Sequence, residues 1–352
     1  MRFLNHLAVA CLVVGSAVAQ AETVSGLYQV REPIDGQGSD ARAQATSKAL
    51  DTLVLRLTGD PKAAQSPGLA ALRKDPQQII NQVGTEAGPP ESLVVEFDPG
   101  STERALRQAG LALWGSNRPS ILGWWLSDSV EGSNLVGDGQ SAAGPLRRAA
   151  QHRGLPLRLP LGDLQEQLVA NAKQLEGSDP APLREASERY NADAMLAVHA
   201  QEADGKWQGK WQLWLGDQRE QGSVEAADQA ALADAVMLAV SSRLAPRYVT
   251  RPGASSQLQI QVQGMNLQRY AELGRVLEPY GPRLRQAEGD TLTYSVTGNR
   301  EQLRAQLGLA KLQELPPEQA PAPLPDAAAA PQPPGTPQPA APKPFDGLRF
   351  RW

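Results

Sequence analysis

Few residues in this chain are of the kind that does chemistry, and they are scattered. Beyond residue 21 there are two histidines, His152 and His199, and the single cysteine is Cys11. A metal centre needs His, Cys or carboxylates gathered in one place. His152 lies in "RRAAQHRG", at a basic helix end, and reads as a solvated residue beside the terminal carbonyls. His199 lies in the apolar run "AMLAVHA" and reads as a half-buried strand residue rather than a base. Asp128, Glu131 and Asp138 share a polar loop but lack the D-x-D-x-D-G rhythm of a calcium loop. No G-x-S-x-G elbow occurs, and "GDGQSAAG" has neither the lysine nor the spacing of a phosphate loop. The expectation is a non-enzyme with no metal and no cofactor.

Two features suit binding instead. Trp207, Trp211 and Trp214 stand close together in "KWQGKWQLWLG", a candidate stacking surface for a sugar or small ligand. In a strand, Trp207 and Trp211 share one face with Leu213 and Leu215, while Lys210, Gln212 and Trp214 share the other. The C-terminal "FDGLRFRW" alternates Leu348, Phe350 and Trp352 with Arg349 and Arg351, a miniature amphipathic strand suited to a sheet edge. Three fates are open to it: docking on a partner, folding back on this protein's own sheet, or a passive end. A basic run, Arg147, Arg148, His152 and Arg153, reads first as a solvated helix face and second as a contact for an anionic envelope polymer or headgroup.

The elements that must position these residues come from composition and period. The chain has 352 residues, 41% hydrophobic and 20% charged, enough for two or three folded domains. Its net charge of -4 leaves no basic surplus for nucleic acid. Residues 1–21 read as a cleaved secretory signal: Arg2, an apolar run too short to span a membrane, and Ala19 and Ala21 before the cut. "LAVAC" has Ala8 where a lipid-attachment signal prefers a larger aliphatic residue, so anchoring at Cys11 is not expected. A periplasmic protein without cysteine or disulfide follows, with no membrane span after cleavage.

A mixed α/β N-terminal domain is expected over 22–116. It has a strand at 24–34, a helix capped by Ser39 or Asp40 and stopped by Gly59, helical pieces at 69–74 and 76–83, and a strand "SLVVEFD". A middle α/β domain is expected over 117–250. Its strand "ILGWWL" is apolar on both faces, so Trp124 and Trp125 fill half-cores above and below a sheet. A polar loop at 127–144, helices at 145–153, 162–176 and 181–190, and three strands around the Asp204-Gly205 turn come next. A helix over 228–245, ended by Pro246, closes the domain. Residues 256–315 read as a β-α-β-β-α-β ferredoxin-like unit. From 316 to 344, twelve of 29 residues are proline, which marks an extended, disordered linker reaching roughly 90 Å, before the tail at 345–352.

"ARAQATSKALDTLVLRLTGD", "LALWGSNRPSILGWW", "RYNADAMLAVHA" and the helix ending "SSRLAPRY" together resemble the uncharacterised Gram-negative envelope family known as domain of unknown function 2066. The resemblance covers most of 22–315 and implies secretion and architecture, without an activity. The expected role is a non-enzymatic periplasmic accessory or scaffold protein that contacts an envelope protein. The alternative is a binding module for an envelope glycan or small ligand.

Overall fold

A computed structural model of the chain describes residues 24, 26–36, 38–88, 91–130, 132–249, 256–316, 345 and 347–352. The signal segment, Cys11, and residues 317–344 of the linker lie outside the described residues. The fold is a mixture of α/β and α+β pieces built on three sheets.

The first sheet follows from one long helix. Strand β1 (Gln29–Pro33) leads into α1 (Ser39–Thr58), whose Ala45, Ala49, Leu50, Leu53, Val54 and Leu57 form a single buried stripe. Gly59, at φ 65, closes α1 in the left-handed conformation that glycine adopts without cost. The N-terminal cap is Gly38, with no side-chain bond; Ser39 and Asp40 are already inside the helix. After α2 (Ala70–Lys74) come β2 (Ile80–Glu86), β3 (Ser92–Phe97) and α3 (Pro99–Gln108), and the sheet order is β1-β3-β2, antiparallel throughout. The helix expected over 76–83 is instead a short 3-10 turn followed by β2. That strand is polar and exposed along nearly its whole length, so no alternation betrays it, and pairing with β3 alone makes it a strand.

The middle sheet is organised by β4 (Ile121–Ser129), whose first six residues are all buried. Trp124 belongs to the core on one face and Trp125 to the core on the other, as the doubly apolar run predicts. The expected loop over 127–144 contains a further strand, β5 (Gly132–Leu135), folded back on β4. Helix α4 (Ala143–Arg153) and β6 (Leu157–Arg158) follow. The helix expected over 162–176 is two helices, α5 (Leu164–Val169) and α6 (Ala172–Glu176), because Asn171 caps a fresh start by accepting from the Gln174 N–H. Next are α7 (Ala181–Ser187), β7 (Ala194–Ala203), β8 (Lys206–Leu215), β9 (Gln218–Ala226) and α8 (Gln229–Tyr248). Asp204 and Gly205 both have positive φ, the geometry of a tight hairpin turn. Pro246 sits inside α8 rather than ending it; so near the C-terminus its missing N–H removes a single bond. Sheet order is β5-β4-β7-β8-β9 with β6 beside β4, and β4 runs parallel to both β6 and β7.

The third sheet contains β10 (Ser256–Gln263), α9 (Leu267–Leu277), β11 (Arg283–Glu288), β12 (Thr291–Gly298), α10 (Arg300–Leu309) and β13 (Gln313–Leu315), the expected β-α-β-β-α-β order. A fifth strand, β14 (Leu348–Arg351), is the C-terminal tail.

The first two units are joined by buried arginines. Arg118, fully buried, donates to the carbonyls of Arg56 (2.7 Å), Trp114 (3.1 Å), Gly115 (3.0 Å), Arg153 (3.1 Å) and Gly154 (3.1 Å). Its guanidinium also lies over the Trp114 ring at 4.2 Å. Those of Arg56, Arg153 and Gly154 lie at the C-terminal ends of α1 and α4, where unpaired oxygens and the helix dipole favour a cation. Arg56 likewise donates to Gln29 O (2.7 Å) and Leu27 O (3.0 Å). Burial pushes the two guanidiniums down, Arg56 to about 10 and Arg118 to about 9, and both still carry charge at neutral pH.

Candidate functional site

The tail strand has the most specific surroundings of any candidate. In the third sheet the order is β11-β12-β10-β14-β13, with β14 parallel to β10 and antiparallel to β13. A plain β-α-β-β-α-β unit would seat its last strand beside its first. Here β14 lies between them, and β14 is the only strand to which β13 is paired among the described residues. The sequence patterns explain the fit. In β10, Ile260 and Val262 alternate with Gln261 and Gln263; in β14, Leu348 and Phe350 alternate with Arg349 and Arg351. Matched in parallel register, the apolar members turn into the core, where Leu348 and Phe350 are buried with Ile260, Val262, Leu303 and Leu307. The polar members meet outside: Arg349 Nε donates to Gln261 Oε1 at 3.1 Å, and Arg351 approaches Gln263 Oε1 at 3.5 Å. The Trp352 N–H donates to Gln263 O, and Arg269 lies 5.8 Å from the Trp352 ring. Gly347 admits the tail, since a Cβ there would come within 2.5 Å of the Gln259 carbonyl oxygen.

A second cluster, missed in the sequence, lies at the carboxyl ends of β4 and β7. The His199 side chain is 2% exposed, with Nε2 2.6 Å from Asp128 Oδ2 and Nδ1 2.6 Å from Glu176 Oε1. Lys210 Nζ holds the other oxygen of Glu176 at 2.7 Å, and the Ser133 hydroxyl donates to Asp128. Bonds from Lys210 and then His199 hold the Glu176 carboxyl below its usual range. Burial works against Asp128, but the bonds from Ser133 and His199 outweigh it, and its carboxyl is also held low. Both ring nitrogens of His199 face a carboxylate, so neither is placed to take a proton from a substrate. The arrangement is an ionic clasp between α6 and the strands. Among the described residues, no group of three or more His, Cys, Asp or Glu is arranged to hold a metal ion.

His152 is not a solvated helix end. Its Nε2 lies 2.9 Å from Glu32 Oε1, and Thr52 donates to the same carboxylate oxygen at 2.5 Å. Burial raises the Glu32 carboxyl, yet these two bonds bring it below its ordinary value. The cluster joins β1 and α1 to α4. Of the rest of the basic run, Arg147 pairs with Asp138 at 2.6 Å, and Arg153 is largely withdrawn from solvent.

The three tryptophans of β8 do not form one surface. Trp207 and Trp211 pack in the core beneath α8, with 8% and 3% exposure. Trp214 is on the opposite face in the other core, with Arg219 at 5.9 Å from its ring. An open cleft of about 750 Å³ between α8 and α10 is lined by charges already paired: Arg247 with Glu220, Arg304 with Glu301 and Glu314, and Lys311 with Asp193.

Comparison with known proteins gives one match. A family model described as a domain of unknown function (DUF8605) covers residues 21–115, about a quarter of the chain and the stretch holding the first sheet. This is a different family from domain of unknown function 2066, and it overturns that resemblance, which rested on diffuse apolar patterns that many α/β domains share. No curated protein matches the chain. No solved structure matches it either. Among the described residues, no helix is long and apolar enough to cross a membrane.

Proposed function

We propose that this chain is a non-enzymatic periplasmic accessory protein that acts by protein–protein contact in assembly or maintenance of the cell envelope. Its contact point is the strand slot between β10 and β13. The observation that carries this reading is the seat of the tail: β14 is hydrogen-bonded on both sides by strands far from it in the chain, with residues 316–347 between it and the body. That is how an extended peptide is held in β-augmentation, where backbone bonds supply affinity and alternate side-chain pockets supply specificity. A partner strand with apolar residues alternating with donors would keep the same backbone bonds and the same contacts to Gln261 and Gln263. The tether sets what a competitor must overcome, since it makes rebinding of the tail an intramolecular event. The tail thus acts as a placeholder that keeps an apolar slot covered until a stronger or pre-positioned strand arrives.

The test is a photo-crosslinking amino acid at Gln261 in the full chain, activated in cells. The reading predicts crosslinks both to the protein's own residues 345–352 and to a second envelope protein. Crosslinks to its own tail alone, in growing and in envelope-stressed cells, would remove the slot from partner recognition.

A further inference from the structure

We propose a second binding site: the cleft at the carboxyl ends of β4 and β7 takes one pyranose ring of a neutral saccharide. It lies in a different sheet from the strand slot, so neither proposal stands on the other. The site follows from topology. The connection from β4 through α4 leads to β6 on one side, and the chain then crosses to β7 on the other, with Trp125 beside Val198 and Ser127 beside Ala200 in parallel register. Parallel strands whose connections diverge leave a crevice outside their carboxyl ends, the usual ligand position in α/β sheets. Here the crevice is a cavity of about 360 Å³, entered beside the β4–β5 hairpin, with Ala142 and Gln229 at the starts of α4 and α8 in its wall. That volume falls within the range of roughly 300–1,000 Å³ common for ligand pockets.

The lining selects the ligand class. Trp125 and Trp207, 5% and 8% exposed, line the cavity as its aromatic floor, extended by Leu146 and Leu232. The rim is Ser127, Asn134 and Gln229, with no ionisable side chain among the described lining residues. Asp128 and His199 bond each other on the opposite face of the sheet. A phosphate or carboxylate ligand would find no cation among the described lining residues. A pyranose offers an apolar C–H face to an indole and a rim of hydroxyls that both donate and accept. The rim matches this: Gln229 Nε2 reaches Ser127 Oγ at 3.4 Å and Asn134 Nδ2 donates to Gln140 Oε1 at 3.1 Å, so each amide spends a donor and keeps its oxygen as an acceptor.

Calorimetric titration of the full chain with cellobiose and with N,N′-diacetylchitobiose tests the site. One saturable event per chain is expected, weakened roughly tenfold or more in the Asn134→Ala, Gln229→Ala double variant, which corresponds to about 1.4 kcal/mol. Matched thermal unfolding curves would show that the double variant is folded. Retention on isolated cell-wall sacculi that is competed by the free disaccharides would identify a polymer as the source, and disaccharide binding without sacculus retention a short free unit. No heat from either sugar at roughly 10 mM, affinity unchanged in the double variant, or preference for an anionic sugar would overturn the proposal.

Discussion

Arg118 holds the first two units together by donating to carbonyl oxygens instead of a carboxylate. Five acceptors converge on one planar fork, an arrangement that a lysine ammonium cannot reproduce. Arg118→Lys is expected to cost at least about 3 kcal/mol, since several buried carbonyls lose partners at roughly 1–3 kcal/mol each. Urea unfolding of the full chain measures this, and a variant within experimental error of the wild type would refute the joint. The clasp around His199 makes a different prediction, in pH. Asp128 and Glu176 titrate below their ordinary range when folded. Their contribution is therefore complete above the unfolded carboxyl value of about 4, and is lost as pH falls through the lower folded values. Glu176→Gln should cost about 1 kcal/mol near neutral pH and lose less stability than the wild type on acidification below about pH 4. Equal acid sensitivity in both proteins would show the clasp to be energetically silent.

Single elements carry sharper tests, because their geometry is forced at one residue. Gly59 ends α1 in a left-handed conformation, and a Cβ there would collide with Ala245 of α8. Gly59→Ala is expected to lose about 1–2 kcal/mol from backbone strain alone, with the clash added, read as a fall in melting temperature. In β14, Phe350→Ala should cost about 3–5 kcal/mol through the cavity it leaves, and should expose residues 345–352 to protease while the middle sheet stays folded. Elements such as α1, β4 and the β7–β8 hairpin were legible in the sequence because their signals are local: a 3.6-residue stripe, a doubly apolar run, an Asp-Gly turn. Strands β2 and β5 were not, since both are polar and mostly exposed and only their pairing defines them. The clasp was hidden for a related reason: Asp128 and Glu176 lie 71 and 23 residues from His199, and nothing in either neighbourhood announces the meeting. The amphipathic pattern of the tail was visible, but not its seat, which depends on a long-range match between "LQIQVQ" and "LRFR".

At the scale of the molecule, three sheets are fastened to one another through helix ends and side-chain bonds, and the C-terminal strand lies inside the last of them. Trp114 stacks on Tyr248 at 5.8 Å, and Gln302 donates to Tyr248 O, so α8 touches both neighbouring units. Against that fixed body, β14 is joined to the rest of its sheet by pairing and by a proline-rich connection. A tail held as a ligand must exchange, and one measurement tests that directly. A protease site is introduced within 317–344, the purified full chain is cut, and exchange of the native tail against a fluorescent peptide of residues 345–352 is followed by polarisation. The cut tail is expected to stay bound through gel filtration and to be replaced by labelled peptide, but not by a Phe350→Asp peptide. A tail that never exchanges while the body stays folded, or a Phe350→Asp peptide that exchanges equally well, would contradict it.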